Sequence, residues 1–290
     1  MKLVAPVVSA LLLSVTAAAY GDDVAPNLLD DEIVDDASAE LAEVVSSLDA
    51  SEQQRVRGIY IALERSQVDV TALAACDDDG DYVVVLSRGL LDQVEAVAYA
   101  DASDRVRGTH LLGGYGALLA RAQRADAQVL PPPVSLEGAD ARARAGEVAR
   151  AFAQDALAWL VADEVAHAIS GELTCPSPTV THEQADDLWT PEEHALALTL
   201  APSRMAHLDA ADAWATRRLL ARGGSEVPAF ELLRAMASLE DARPPGAATT
   251  YLTLHPHARG RAAAMRAAAQ AWRDADRAAR KSPTERAPMR

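Results

Sequence analysis

The sequence predicts a mostly helical α+β domain, and three observations carry that expectation. Half of the residues are apolar but only 4% are aromatic, so Leu, Val and Ala must pack the core. Such Ala- and Leu-rich composition favours helices. Apolar positions recur at helical spacing along most of the chain. Around residues 68–86 the period changes, and two β-rich runs flank an acidic turn.

Taken in order, residues 1–19 read as a signal peptide. Lys2 supplies the charge, Leu3 to Val15 the apolar stretch, and Ala17-Ala18-Ala19 a small-residue cleavage site. The apolar stretch is short for a membrane span, and no later segment approaches ~18 uninterrupted apolar residues. The expectation is an exported protein, periplasmic or extracellular, without a membrane span in the mature chain. Residues 20–38, acidic and carrying Pro26, read as a flexible leader.

From Ala39 to Ser66, Leu41, Val44, Val45, Leu48 and then Ile59 and Leu63 recur at helical spacing. Val68 to Leu73 and Tyr82 to Leu86 then flank Asp77-Asp78-Asp79-Gly80-Asp81, a hairpin signal. Those acids lack the alternating ligands and terminal Glu of a calcium loop, so they read as a solvated turn. Ser87-Arg88-Gly89-Leu90-Leu91 opens a helix to about Ala102, and a helical stretch follows from Leu111 to Ala127. Leu130-Pro131-Pro132-Pro133 cannot continue a helix. Helices are expected again at 145–173, 191–199, 204–222, 229–240 and 256–280, with a disordered tail at 282–290. One domain over 39–281 results, with insertions at about 103–146 and 174–203.

Acids outnumber bases 43 to 27, for a net charge of −16, which argues against nucleic acid as a partner. Ten acids and no base lie between Asp22 and Asp49, whereas bases dominate from Arg259 onward. An acidic leader and a solvated basic helix account for this. Cys76 and Cys175 can form one disulfide in an oxidising compartment or stand as two buried thiols; the sequence leaves both open. There is no Gly-rich phosphate loop, Gly-x-Ser-x-Gly elbow or Cys-x-x-Cys pair.

The segment that carries chemistry is Asp155-Ala156-Leu157-Ala158-Trp159-Leu160-Val161-Ala162-Asp163-Glu164-Val165-Ala166-His167. On a helix, Asp163 and His167 lie four apart and share a face. Glu164 stands beside them, where it can serve as a general base. This is the geometry of the His-Glu-x-x-His zinc motif with Asp in place of the first His. By itself Asp-Glu-x-x-His also describes a surface ion pair.

Around that motif the chain resembles the zinc metallopeptidase family of the CAAX-prenyl endopeptidases, the HtpX-type proteases and the periplasmic proteases of outer-membrane assembly, which are gluzincins. The helix has a similar apolar pattern, with Asp155 near its start and Ala162 before the motif. Upstream, Tyr82 to Leu91 is similar to the family's strand leading into Thr-Arg-Gly-Leu-Leu. Downstream, His207-Leu208-Asp209-Ala210-Ala211-Asp212 is similar to the Glu-x-x-Ala-Asp helix. Near the end, Leu254-His255-Pro256 with Arg259, Arg261 and Met265 is similar to the Thr-His-Pro…Arg segment. The four segments keep their order over about residues 55–270.

The resemblance implies a helical gluzincin-like domain with a small hairpin or sheet beside the active-site helix. It implies one zinc ion, a protein or peptide substrate, and Glu164 as the base that takes water's proton. Asp163 and His167 would be ligands, with the third from Asp209 or His255 and with Asp212 in support. The family's Glu ligand falls on Leu208, which cannot bind metal. A substrate strand would pair along an edge strand containing Val83, Val84 and Val85, a β-addition mode. His182 and His194 read as ordinary polar residues. Two functions are expected from this pattern: an exported zinc endopeptidase, or an inactive relative that keeps the cleft as a protein-binding scaffold.

Overall fold

The computed structural model describes residues 31–64, 70–77, 79–115, 117, 139–171, 173–175, 207–242 and 254–281. The signal peptide, the leader as far as residue 30, the three-proline segment, His182, His194, the 191–199 helix and the tail lie outside these residues. Seven helices are used here: α1 (Asp31–Ser46), α2 (Ala50–Arg55), α3 (Arg88–Arg107), α4 (Ala139–Ile169), α5 (Leu208–Ala221), α6 (Val227–Ala242) and α7 (Ala258–Lys281). Three strands join them: β1 (Tyr60–Glu64), β2 (Ala72–Cys76) and β3 (Tyr82–Ser87). The described chain is thus mostly helical with one small sheet. Among the described residues no helix is long and apolar enough to cross a membrane.

Two segments differ from expectation near the start. Helix α1 begins at Asp31, so 31–38 is helix rather than leader. Residues 39–66 are not one helical stretch but two helices and a strand. Asp49 restarts the chain by a capping box: its carboxylate accepts from Ser51 and Glu52 N–H, and Glu52 answers to the Asp49 N–H. Gly58, at φ 82°, then turns the chain into β1. Ile59 and Leu63 are four apart, which suits a helix, but Ile61 and Leu63 alternate just as well and belong to a strand.

The expected hairpin forms. β2 and β3 are antiparallel, with Ala75 opposite Val83 and Cys76 opposite Tyr82. Asp77 closes the turn by accepting the Asp81 N–H at 2.8 Å. The sheet order is β1-β3-β2, with β1 parallel to β3. Strand β3 is therefore central, and this corrects the expected substrate edge. The backbone of Val83, Val84 and Val85 is already paired on both sides, and their exposure is 1%, 0% and 0%. No added strand can pair there; the strand beside the motif helix with an outer edge is β2.

Ser87 ends β3 and caps α3, its Oγ accepting from Leu90 N–H at 3.1 Å and from Thr71 N–H at 2.8 Å. Gly108, left-handed at φ 66°, ends that helix. Of the helical stretch expected at 111–127, residues 111–115 are helical and most of the remainder lies outside the described residues.

Helix α4 is the hub, packing against α1, α3, α5, α6, β2 and β3. One face of the sheet (Ala72, Ala74, Val84, Leu86) joins this main core, with Trp159 of α4 fully buried in it. The other face (Ala62, Leu73, Ala75, Val83, Val85) packs against Leu254. Cys76 and Cys175 are joined in a disulfide, Cα to Cα 5.4 Å, which resolves the choice left open by the sequence. It ties the end of β2 to the segment that follows α4.

Candidate metal centre

Asp163, Glu164 and His167 project from the last two turns of α4, and all three are buried. Packing of α4 on every neighbouring element leaves these polar groups facing protein rather than water. His255 arrives from the turn before α7. Leu254 anchors that turn on the sheet, and Glu240 of α6 fixes its far side by accepting from the His257 and Ala258 N–H groups at 2.8 and 3.0 Å. His257, just before α7, takes a left-handed φ of 65°.

Asp163, His167 and His255 each offer one ligand atom, and these atoms lie within 4.8 Å of one another. This buried group can hold a metal ion. The His167 and His255 rings meet edge to face, with centroids 5.5 Å apart. Asp163 Oδ1 is buried and accepts no hydrogen bond among the described residues. Two imidazoles and one carboxylate are the donor chemistry that suits a borderline divalent ion.

Glu164 sits at the outer edge of β2. Its Oε2 accepts the Ala74 N–H at 2.7 Å, and its Oε1 lies 3.2 Å from His255 Nε2. The ladder explains why that amide is available. The Thr71 carbonyl accepts the Ser87 N–H and the Asp77 N–H donates to the Asp81 carbonyl, so odd-numbered residues of β2 face β3. Ala72, Ala74 and Cys76 therefore turn their backbone groups outward, toward α4.

Behind the ligand group lies a buried ion cluster. Arg261 of α7 reaches Asp163 Oδ2 at 2.8 Å through Nη2. It also forks onto Asp212 of α5, Nε to Oδ2 at 3.0 Å and Nη2 to Oδ1 at 2.5 Å. Its guanidinium stands 5.7 Å above the Trp159 ring. Trp159 Nε1 donates to Thr216 Oγ1 at 3.2 Å, and Thr216 donates to the Asp212 carbonyl at 2.7 Å.

Burial sets the proton affinities. It pushes the Asp163 carboxyl up to about 7, with Arg261 opposing and Asp212 reinforcing the shift. It pushes the His255 imidazole down to about 4, although Glu164 favours the charged ring.

Of the residues singled out in the sequence, Asp163, Glu164, His167, Asp212 and His255 come together. Asp209 does not join them: it is exposed in the first turn of α5. Leu208 is buried and apolar, as its side chain requires. Arg261 and Trp159 were not read as site residues. A signal existed for each: Trp159 is four residues before Asp163, and Arg261 is a base on the apolar stripe of Ala258, Ala262, Met265 and Ala269. No family model, curated protein or solved structure gives a significant match to this chain.

Proposed function

We propose that this chain is an exported zinc endopeptidase of the gluzincin type with a rearranged ligand set. One observation carries the reading: Asp163, His167 and His255, drawn from two distant parts of the chain, bring ligand atoms within 4.8 Å of one another beside Glu164. A peptidase zinc is held by two imidazoles and a carboxylate, with one position open. Here the carboxylate moves to the first motif position as Asp163, and His255 supplies the second imidazole. The composition of the set is kept although the positions are exchanged. The resemblance in four ordered segments supports the gluzincin reading of the fold, and the Cys76–Cys175 disulfide supports an oxidising compartment.

A bound zinc ion supplies Lewis acidity, bringing the pKa of water near 7 and polarising a carbonyl. The chain's own residues do the rest. Glu164 is the base that takes the proton of the attacking water and returns it to the leaving amine. Ala74 N–H orients its carboxylate by holding Oε2.

A second reading has its own observation. Arg261 already places a cation against Asp163 Oδ2, so the cluster carries an internal counter-charge. With Leu208 at the usual ligand position, the chain would then be an inactive scaffold that binds protein segments. Metal content decides between the two. About one zinc per chain, lost in His167→Ala and in His255→Ala, supports the peptidase; zinc-free wild type purified without chelators refutes it.

A further inference from the structure

Arg261 is the least expected residue of the cluster, a guanidinium 2% exposed on the apolar stripe of α7. A buried cation persists only where partners replace its water. Asp212 grips it in a fork through Nε and Nη2, and Trp159 lies beneath it. Those contacts fix the plane of the guanidinium independently of Asp163. Nη2 is then aimed at Asp163 Oδ2, 2.8 Å away. The carboxylate is left with Oδ1, which is buried and accepts nothing among the described residues.

From this geometry we infer that Arg261 is a positioning residue for the metal set, holding Oδ2 so that Asp163 gives the ion a single oxygen, Oδ1. The inference rests on the metal reading proposed above. It explains how an aspartate can stand where the motif has a histidine. A free carboxylate can offer two oxygens and rotate between them, whereas an imidazole offers one atom in one direction. Arg261 removes that freedom, and Asp212 holds Arg261 in place in turn.

A purely electrostatic view makes the opposite prediction. A guanidinium next to a ligand repels a dication, so deleting it should tighten binding. Loss of a positioning partner should instead weaken binding by about 10–100-fold. The sign separates the two.

The test uses the full chain with zinc titrated against a competing chelator, in wild type, Arg261→Gln and Arg261→Lys. We expect Arg261→Gln to weaken zinc binding by about 10–100-fold. Arg261→Lys, which keeps the charge but lacks the planar fork, should also weaken it. X-ray absorption of the zinc-loaded wild type should show two imidazoles and one singly bonded carboxylate oxygen. In Arg261→Gln the carboxylate should become two-oxygen and the coordination number rise. Equal or tighter binding by a folded Arg261→Gln overturns the inference while leaving the metal reading intact. Should that variant not fold, a two-oxygen carboxylate in the wild-type spectrum overturns it. Absence of zinc binding by wild type removes the metal reading and this inference with it.

Discussion

Ala74 N–H donates to Glu164 Oε2 at 2.7 Å, joining the outer edge of β2 to the motif helix across 90 residues of sequence. That link makes Glu164→Gln a clean substitution. The amide oxygen of Gln can still accept from Ala74, so the carboxylate's structural contact survives while its basicity is lost. We expect zinc content to stay that of wild type and peptide cleavage to fall by about 10²–10⁴-fold. Activity within tenfold of wild type would mean that another group takes the proton.

The resemblance and the helical spacing made much of this centre legible. Asp163 and His167 share a face because four residues make about one helical turn, which is a local rule. His255 and Asp212 were legible only through the order of the four segments, since nothing local says that they approach α4. Arg261 stood in the last of those segments without a role in the site, because a single base in a base-rich helix is ordinarily solvated. Its burial follows from the packing of α7 on α5 and α6. The edge strand was misplaced for a similar reason. Tyr82 to Leu86 is the most apolar β-run, and such a run marks a strand covered on both sides, the centre of a sheet rather than its rim. The weaker runs, Tyr60 to Glu64 and Ala72 to Cys76, are its flanks.

Asp212→Ala should destabilise the protein by about 3–5 kcal/mol, because it strips the fork from a guanidinium that stays buried. Urea unfolding followed by circular dichroism reads this as a lower midpoint with unchanged slope. A loss below roughly 1 kcal/mol would place the pair in the class of exposed ion pairs and contradict its burial.

Reduction of the Cys76–Cys175 disulfide, which spans 99 residues, should cost about 4–5 kcal/mol if the chain-entropy account holds. Cys76→Ser with Cys175→Ser should match reduced wild type in a urea titration. Because the bridge holds the end of β2, amide exchange at Ala72 to Cys76 should rise more than at β3. Uniform acceleration across the sheet would show that the disulfide acts on global stability alone.

Asp163 and His255 make opposite contributions to the pH dependence of the metal-free protein. Burial raises the Asp163 pKa to about 7 from 3.8, so between those values the folded state holds the extra proton. Its contribution to stability therefore declines as pH rises through about 4 to 7. The His255 pKa is lowered to about 4 from 6.5, so in that window the unfolded state holds the extra proton. Its contribution increases as pH rises from about 4 to 6.5. The two slopes oppose each other over nearly the same range, each at most about 1.4 kcal/mol per pH unit. Substitution should separate them. Relative to wild type, Asp163→Asn should make stability climb more steeply between pH 4.5 and 6.5, and His255→Leu should make it climb less or fall. Urea midpoints measured with a chelator across that range give both slopes. Equal slopes in all three proteins would mean that neither group changes its protonation on folding.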